Sequence, residues 1–431
     1  MVNYNEILSA YLPDKEESEK LFSISERIKK EINDYCIKEN INAEAMEVGS
    51  LSKKTNLKCS DVDIFILFDK EYSKKYIEIK GTEIGHKILK NGYEKYAEHP
   101  YVSGYIDGVK VDIVPAFKID EGETIVSSVD RTPLHTRFVN SYSNERIIRD
   151  IRLLKVFMKL INVYGSEISK SGFSGYLCEL LIIKLGSFDN VIKKFAYVNG
   201  RLHIPEGVDY EKKFIEPAII IDPVDPNRNA AAAVSIENLS KMKVASKLFI
   251  KYGNMDFIKN SITEEKRKRG TFIKIFIINK PDIIDEIVYP QAVRFKGKIW
   301  EIFKNYDFLP VASEIFLGKD IEILIEYERK VLPDMVIHQG PPIDSPEILK
   351  FIDIWKNNDR LMRGPYIIGD RIYVDIKRRS TDFYSIFYSN IEKIDIGKNL
   401  NALKKNIKII DVDENTNYEV LKKFYFRSLF D

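Results

Sequence analysis

From residue 16 the chain reads EESEKLFSISERIKKEINDYCIKEN, with Leu21, Ile24, Ile28 and Ile32 at helical spacing. Apolar positions three and four apart on a charged background predict an amphipathic helix with one buried stripe. The period then changes. VDIFILF, starting at Val62, reads as a strand, and 77–90 returns to a helical pattern. HPYVSGYIDGVKVDIVPAF, from His99, holds two β-rich runs around Asp107-Gly108, the mark of a hairpin. From Asn144 to Asn162 the positions Ile147, Ile148, Ile151, Leu154, Phe157, Met158 and Ile161 form one broad helical face, and Gly165 is expected to end that helix. SGFSGYLCELLIIKLGSF opens a second helix with Ser174 as its cap. IEPAIIIDPVDPNRNAAAAVSIENLSKMKVASKLFIKY predicts a short strand, a proline-rich loop and a long helix starting near Ala230. A charged run, EEKRKRG, marks a boundary at 264–270, after which β-like runs (271–278, 321–327, 366–376) alternate with helical ones (290–305). The pattern predicts an α+β chain of several domains: an α/β unit over 1–142, a helical unit over 143–262, and one or two α+β modules over 263–431.

Length and composition agree with that division. At 431 residues, with 44% hydrophobic and 12% aromatic, the chain holds enough apolar surface for two to four cores. No run approaches the ~20 apolar residues of a membrane span, and MVNYNEILSAYLPDKEESEK has neither the basic nor the apolar block of a signal peptide. The three cysteines, Cys36, Cys59 and Cys178, form no C-x-x-C, which argues for a reducing, cytoplasmic setting. Charge is unevenly shared. Residues 1–140 carry 20 Lys/Arg and 25 Asp/Glu, a net of −5; out of 67 and 65 in all, the remainder carries 47 and 40, a net of +7. Ordinary scatter gives such numbers, and so does a metal site followed by a polyanion-binding surface.

The chemistry concentrates in EVGSLSKKTNLKCSDVDIFILFDK, starting at Glu47. Residues two apart on a strand face the same side, so Asp61 and Asp63 point one way while Val62, Ile64, Ile66 and Phe68 point into a core. Two like charges that close call for a cation, and hard divalent ions prefer carboxylate oxygens. A solvated Asp-x-Asp makes the same pattern. Asp112, in the apolar run GVKVDIVPAF, changes the weighing: if its strand lies beside the first, three carboxylates converge, as a two-metal site requires. Gly49-Ser50 then supplies a loop with exposed N–H groups and a hydroxyl for an anion, and Lys53 adds charge.

Gly-Ser, Asp-x-Asp and a later strand Asp together resemble the nucleotidyltransferase superfamily, which has a polymerase-β-like palm. VDRTPLHTRFV, RLLKVFMKLINVYG, SGFSGYLCELLI and DPVDPNRNAAA narrow the resemblance to the archaeal, class I CCA-adding enzymes, the tRNA nucleotidyltransferases. It runs from about residue 47 to 250, continues through KPDIIDEIVYPQ, and becomes diffuse in the last hundred residues. The resemblance implies a catalytic head domain, a helical neck that binds the base, and a C-terminal body and tail that hold tRNA. It implies two Mg2+ ions on Asp61, Asp63 and Asp112, with CTP and ATP as substrates. Nucleotide contacts carry over to Ser50, Lys53, His135, Lys155, Tyr164 and Arg228, the last reading the edge of the base, and His99 carries over to the vicinity of the primer end. By its own pattern Lys155 lies off the apolar stripe, and it meets Tyr164 at one ligand only if Tyr164 lies past the helix end. The partner implied is the acceptor and TΨC arm of tRNA, with no membrane and with a homodimer left open. A poly(A) polymerase-like enzyme and a silent RNA-binding protein on the same scaffold are the rival readings.

Overall fold

The structure is a computed structural model that describes residues 4–96, 99–120, 122, 123, 125, 127, 129–205, 214–255, 270–413, 416, 419–425 and 430. It divides into two compact units, Met1–Ser261 with Ser428–Asp431, and Ile262–Arg427.

The first unit is built on a five-stranded sheet of order β1-β2-β5-β4-β3: β1 (Ala43–Val48), β2 (Val62–Phe68), β3 (Tyr93–Tyr96), β4 (Pro100–Ile106) and β5 (Val109–Phe117). β4 and β5 are the expected hairpin, with Asp107 and Gly108 both left-handed at φ 50° and 78°, as a two-residue turn matched to strand twist requires. β2 and β5 run parallel, so a crossover separates them in sequence. Alternation then sorts the side chains. Val62, Ile64, Ile66, Phe68, Val111 and Ile113 pack in one core with Leu21, Ile24, Ile28 and Ile32 of α2 (Lys15–Lys38) and Ile77 and Ile84 of α4 (Lys74–Ile88). Phe65, Leu67, Val114 and Ala116 point to the opposite face. α1 (Tyr4–Ser9) precedes α2, and α3 (Gly49–Ser52) is a single turn after β1. α2 starts where Asp14 accepts the amide of Glu17 at 2.8 Å, and α4 where Ser73 caps Tyr76. Edge strand β1 escaped the sequence reading because AEAMEV is short and only partly buried.

The same unit continues into helices around a second core. α5 (Arg131–Tyr142) leads to α6 (Glu145–Leu160), capped by Asn144; α7 (Gly175–Leu185), capped by Ser174; α8 (Phe188–Tyr197); and α9 (Ile236–Tyr252), capped by Ser235. α6 ends earlier than expected: Asn162, at φ 59°, takes the left-handed position ahead of Gly165. Tyr164 therefore lies outside the helix, in an isolated bridge with Phe173. The expected proline-rich loop is instead a tight pair of strands, β7 (Ala218–Asp222) and β8 (Asp225–Asn229), with β6 (Leu202–Ile204) on the far side of β7, and the long helix begins at Ile236 rather than near Ala230.

The second unit holds two sheets. One orders Pro310–Leu317, Asp320–Tyr327, Phe272–Asn279 and Lys408–Asp411, all antiparallel, and shares a core with the helices Asp285–Asn305 and Phe383–Ile391. The other is three-stranded, with Arg371–Lys377 between Met335–Pro342 and Leu361–Ile368. Among the described residues no helix is long and apolar enough to cross a membrane.

Candidate active site

The register of β2 on β5 sets Asp63 directly opposite Asp112, and β4 sets Ser103 opposite Asp112 on its other side. All three project from the face carrying Phe65, Leu67, Val114 and Ala116, and Asp61 lies two residues before Asp63. Burial, then the charges of Asp112 and Asp61, push the Asp63 carboxyl up to about 6. Gly49 closes over it: φ there is +73°, and a Cβ would stand 2.3 Å from Asp63 Oδ2. Glycine is thus required at Gly49 by its backbone and by the acid beneath it. Ser50 follows, its Oγ 3.1 Å from Ser60 Oγ.

A cation already stands in this cluster. Lys110, two residues before Asp112 on β5, donates to Asp61 Oδ2 at 2.5 Å and to Asp112 Oδ2 at 3.1 Å; Ser103 donates to the other Asp112 oxygen at 2.5 Å. Desolvation would lower the Lys110 ammonium, but the two carboxylates overcome it and hold it above its ordinary value. No three His, Cys, Asp or Glu side chains among the described residues converge as an ion's ligands. The donor set nonetheless fits a hard divalent cation: three carboxylates, one of them pushed toward protonation by burial and then by its neighbours' charge.

Lys53 and Lys155 meet at a carboxylate that the sequence reading passed over. Glu179, in the middle of α7 and 1% exposed, takes Lys53 Nζ at 2.7 Å on one oxygen, and Lys155 Nζ at 2.9 Å and Thr55 Oγ1 at 2.7 Å on the other. Burial alone would raise Glu179; the two lysines hold it well below the usual range. Lys155 is not a solvated helix lysine: it is 2% exposed, because α6 buries Leu153 to Met158 all round. A Cβ on Gly175 would stand 3.0 Å from Tyr164 Oη and 3.6 Å from Lys155 Nζ, so those two groups do meet at one point, past the helix end.

A second buried carboxylate gathers the rest. Asp222, fully buried at the end of β7, accepts from Tyr176 Oη at 2.9 Å and the Val224 amide at 3.1 Å on one oxygen, and from His135 Nε2 at 2.9 Å and Arg228 Nη1 at 2.7 Å on the other. Burial opposes its charge, but His135 and Arg228 hold it at about 2, so it accepts only and the His135 ring carries its proton on Nε2. Burial lowers His135 itself. His135 stacks on Tyr176 at 3.7 Å, and Lys53 lies 5.6 Å over the same ring, which joins this group to the Glu179 group. Arg228 stands within β8, not before a helix, and lines a cleft with Arg131, Ser174, Asp225 and Asn227. His99 is not brought here. It is 1% exposed, with Nδ1 2.9 Å from Glu78 on α4; it stands just ahead of β4, four residues and about 13 Å by extended-chain rise from Ser103.

Missed at the sequence level were Glu179, Asp222, Tyr176, Thr55, Ser103 and Lys110. The available signal was a lone acid inside an apolar run, in YLCELLII and AIIID, since such groups are buried only when paired.

Acids on adjacent strands under a Gly-Ser turn define a nucleotidyltransferase, and the family model described as nucleotidyltransferase domain matches residues 29–135. Two further models match: tRNA nucleotidyltransferase, second domain, over 149–259, and CCA-adding enzyme, C-terminal domain, over 269–411. The chain is 55% identical over 431 residues to a CCA-adding enzyme of Picrophilus torridus, covering all of both chains. It is 45% identical to one of Thermoplasma volcanium, over 100% of this chain and 98% of that one. A solved structure of the Cid1 poly(U) polymerase aligns with a TM-score of 0.47 at 14% identity, over 58% of this chain and 94% of that one, too loose a match to argue from. The chain belongs to the archaeal CCA-adding enzyme family, the tRNA nucleotidyltransferases.

Two outcomes test this geometry. Glu179→Ala leaves two buried ammonium groups without a counter-ion and should cost about 3–5 kcal/mol, read from the denaturant midpoint; unchanged stability would mean that water reaches both lysines. Gly49→Ala should cut nucleotide addition sharply, whereas Gly108→Ala, at φ +78° with nothing within 4 Å, carries the same backbone strain and should leave turnover near normal. Equal losses in the two variants would remove the case for contact with Asp63.

Proposed function

We infer that the protein completes the 3′ end of tRNA, adding C, C and A from CTP and ATP, and that Asp61, Asp63 and Asp112 are its catalytic acids. The observation that carries this reading is the in-register pairing of Asp63 with Asp112 beneath Gly49-Ser50, in a chain of this family. The three acids would hold two Mg2+ ions, which lower the pKa of an attacking hydroxyl and offset the charge of a triphosphate. The chain's own groups do the positioning. Ser50 offers its hydroxyl to the phosphates. Lys53 and Lys155, both tied to Glu179, present fixed positive charge, and Tyr164 stands beside Lys155 at the sugar. Arg228, one third exposed and anchored at 2.7 Å by Asp222, aims its free guanidinium edge at the base; cytosine and adenine share an amine beside a ring nitrogen acceptor, and uracil and guanine do not. His135 shares one Asp222 oxygen with Arg228, and Tyr176 takes the other, so the same carboxylate holds all three. Held groups of this kind lower the barrier by orientation and by fixed electrostatics, without a covalent intermediate.

The C-terminal unit takes the tRNA. Lys377 and Arg379 are exposed there, and Arg363 stacks 5.1 Å over Tyr366 while bridging Asp375 at 2.7 Å. Arg378 drops out of that surface: its guanidinium binds Asp307 and the Pro333 carbonyl and is 9% exposed. Duplex RNA is read by shape and phosphate contacts, which exposed lysines and arginines supply.

The deciding experiment gives a tRNA lacking its 3′ end to the enzyme with each NTP singly and together. Two C, one A and then arrest is the expected product; a long A tail would favour a poly(A) polymerase, and no product an RNA-binding protein without catalysis. Asp63→Ala and Asp112→Ala should nearly abolish addition while tRNA binding, measured by filter retention, persists; active Asp112→Ala would contradict the three-carboxylate site. Arg228→Ala should lower kcat/KM for CTP and ATP together by roughly ten- to a hundredfold, the worth of a hydrogen bond to a charged group. Loss for only one of the two nucleotides would mean separate readers.

A further inference from the structure

We propose that Lys110 is a built-in cation that occupies the acidic site of the metal-free protein and must release its carboxylates when a divalent ion binds, so that it sets how tightly the site takes metal. The inference rests on the reading of Asp61, Asp63 and Asp112 as the metal site.

Lys110 and Asp112 are two apart on β5 and so share the face of Asp63. Its ammonium spans two chain segments, bonding Asp61 Oδ2 at 2.5 Å and Asp112 Oδ2 at 3.1 Å. Ser103 holds the second oxygen of Asp112 at 2.5 Å. Each Asp112 oxygen thus carries a donor, and an ion that reaches Asp112 competes with both. A hydroxyl can turn and leave its oxygen free; an ammonium repels the incoming cation and has to withdraw. Lys110 is able to do so, because its side chain is one quarter exposed on a flexible four-carbon stem. The charges fit the exchange. Three carboxylates carry three negative charges and the ammonium cancels one, so withdrawal of Lys110 raises the charge that meets an incoming divalent ion from two to three. In the metal-free chain the ammonium binds the two carboxylates whose charge acts on Asp63, and so relieves the repulsion around that residue without bonding it.

Mn2+ alone, titrated into the full chain and followed by the EPR signal of the free ion, tests this without turnover. Lys110→Met should bind Mn2+ roughly ten- to a hundredfold tighter, since the competing charged hydrogen bonds are gone. Its metal-free Tm should fall and should recover under saturating Mn2+. Lys110→Arg keeps the competitor and should stay close to the native affinity. Lys110→Gln, a neutral hydrogen-bonding side chain, gives the same reading as Met should the apolar side chain unfold the protein. Unchanged or weaker Mn2+ binding by the neutral variants, with Asp112→Asn binding none, overturns the inference and leaves the metal site standing. Native-like Mn2+ binding by Asp112→Asn would bring down the metal site itself, and the inference with it.

Discussion

The first unit depends on one ion cluster: Glu179, fully enclosed on α7, between Lys53 and Lys155. Lys53 ends the short turn after β1, Lys155 comes from the middle of α6, and Thr55 closes the remaining side. Three segments far apart in sequence are tied to one carboxylate. Burying such charges is expensive, and each is tolerable only while the others are present. The Gly49-Ser50 turn, four residues or fewer from Lys53, therefore has its position fixed by a helix of the neighbouring core rather than by its own short hydrogen bonds. That turn in turn closes over Asp63. The placement of the acid cluster against the helical layer follows from this single electrostatic constraint.

The charge in the unit is layered. Asp63, Asp112 and Asp61 form an excess of negative charge answered in part by Lys110. Next to it Lys53 and Lys155 form an excess of positive charge around Glu179, and farther on His135 and Arg228 converge on Asp222. In the proposed function, a triphosphate laid across this series would meet cation-attracting acids at one end and fixed ammonium groups along its length. The lysines are not spent by their bonds to Glu179, since two ammonium groups share one carboxylate and a net positive charge remains. Low exposure strengthens that residual field, because little water screens it.

Much of this was legible. The acid cluster followed from two-residue periodicity and one further strand acid, and the hairpin from Asp107-Gly108 between β-rich runs. The positions of Tyr164 beyond a helix end and of Ser174 as a cap followed from local chemistry. What was not legible depended on packing. Lys155 read as lying off the apolar stripe because a single stripe was assumed, whereas α6 is buried around Lys155 as well. Arg228 read as a loop residue because Pro and Asp crowd DPVDPNRN, but pairing of Asn229 with Ile221 makes the segment a strand. Glu179 and Asp222 stood in plain view, but their side-chain partners lie 24 to 126 and 6 to 87 residues away. Lys110 drew no reading at all, since nothing in GVKVDIVPAF says which neighbour its face will meet.

With Arg228 as the proposed reader of the base, its anchoring bears on how one pocket would treat two bases. His135, Tyr176, Arg228 and the Val224 amide all bond to the same fully buried carboxylate, Asp222, whose two oxygens are each shared by two donors. Moving one of these groups to suit a different base would leave a buried charge short of a partner, a cost of about 1–3 kcal/mol or more per group. The pocket is thereby built to keep one arrangement, and that suits the pair of features cytosine and adenine have in common. It does not suit a switch between them. In this reading the change from C to A has to come from what lies opposite Arg228, on the side of the RNA end, because that end lengthens by one nucleotide per turn while the groups held by Asp222 stay where they are.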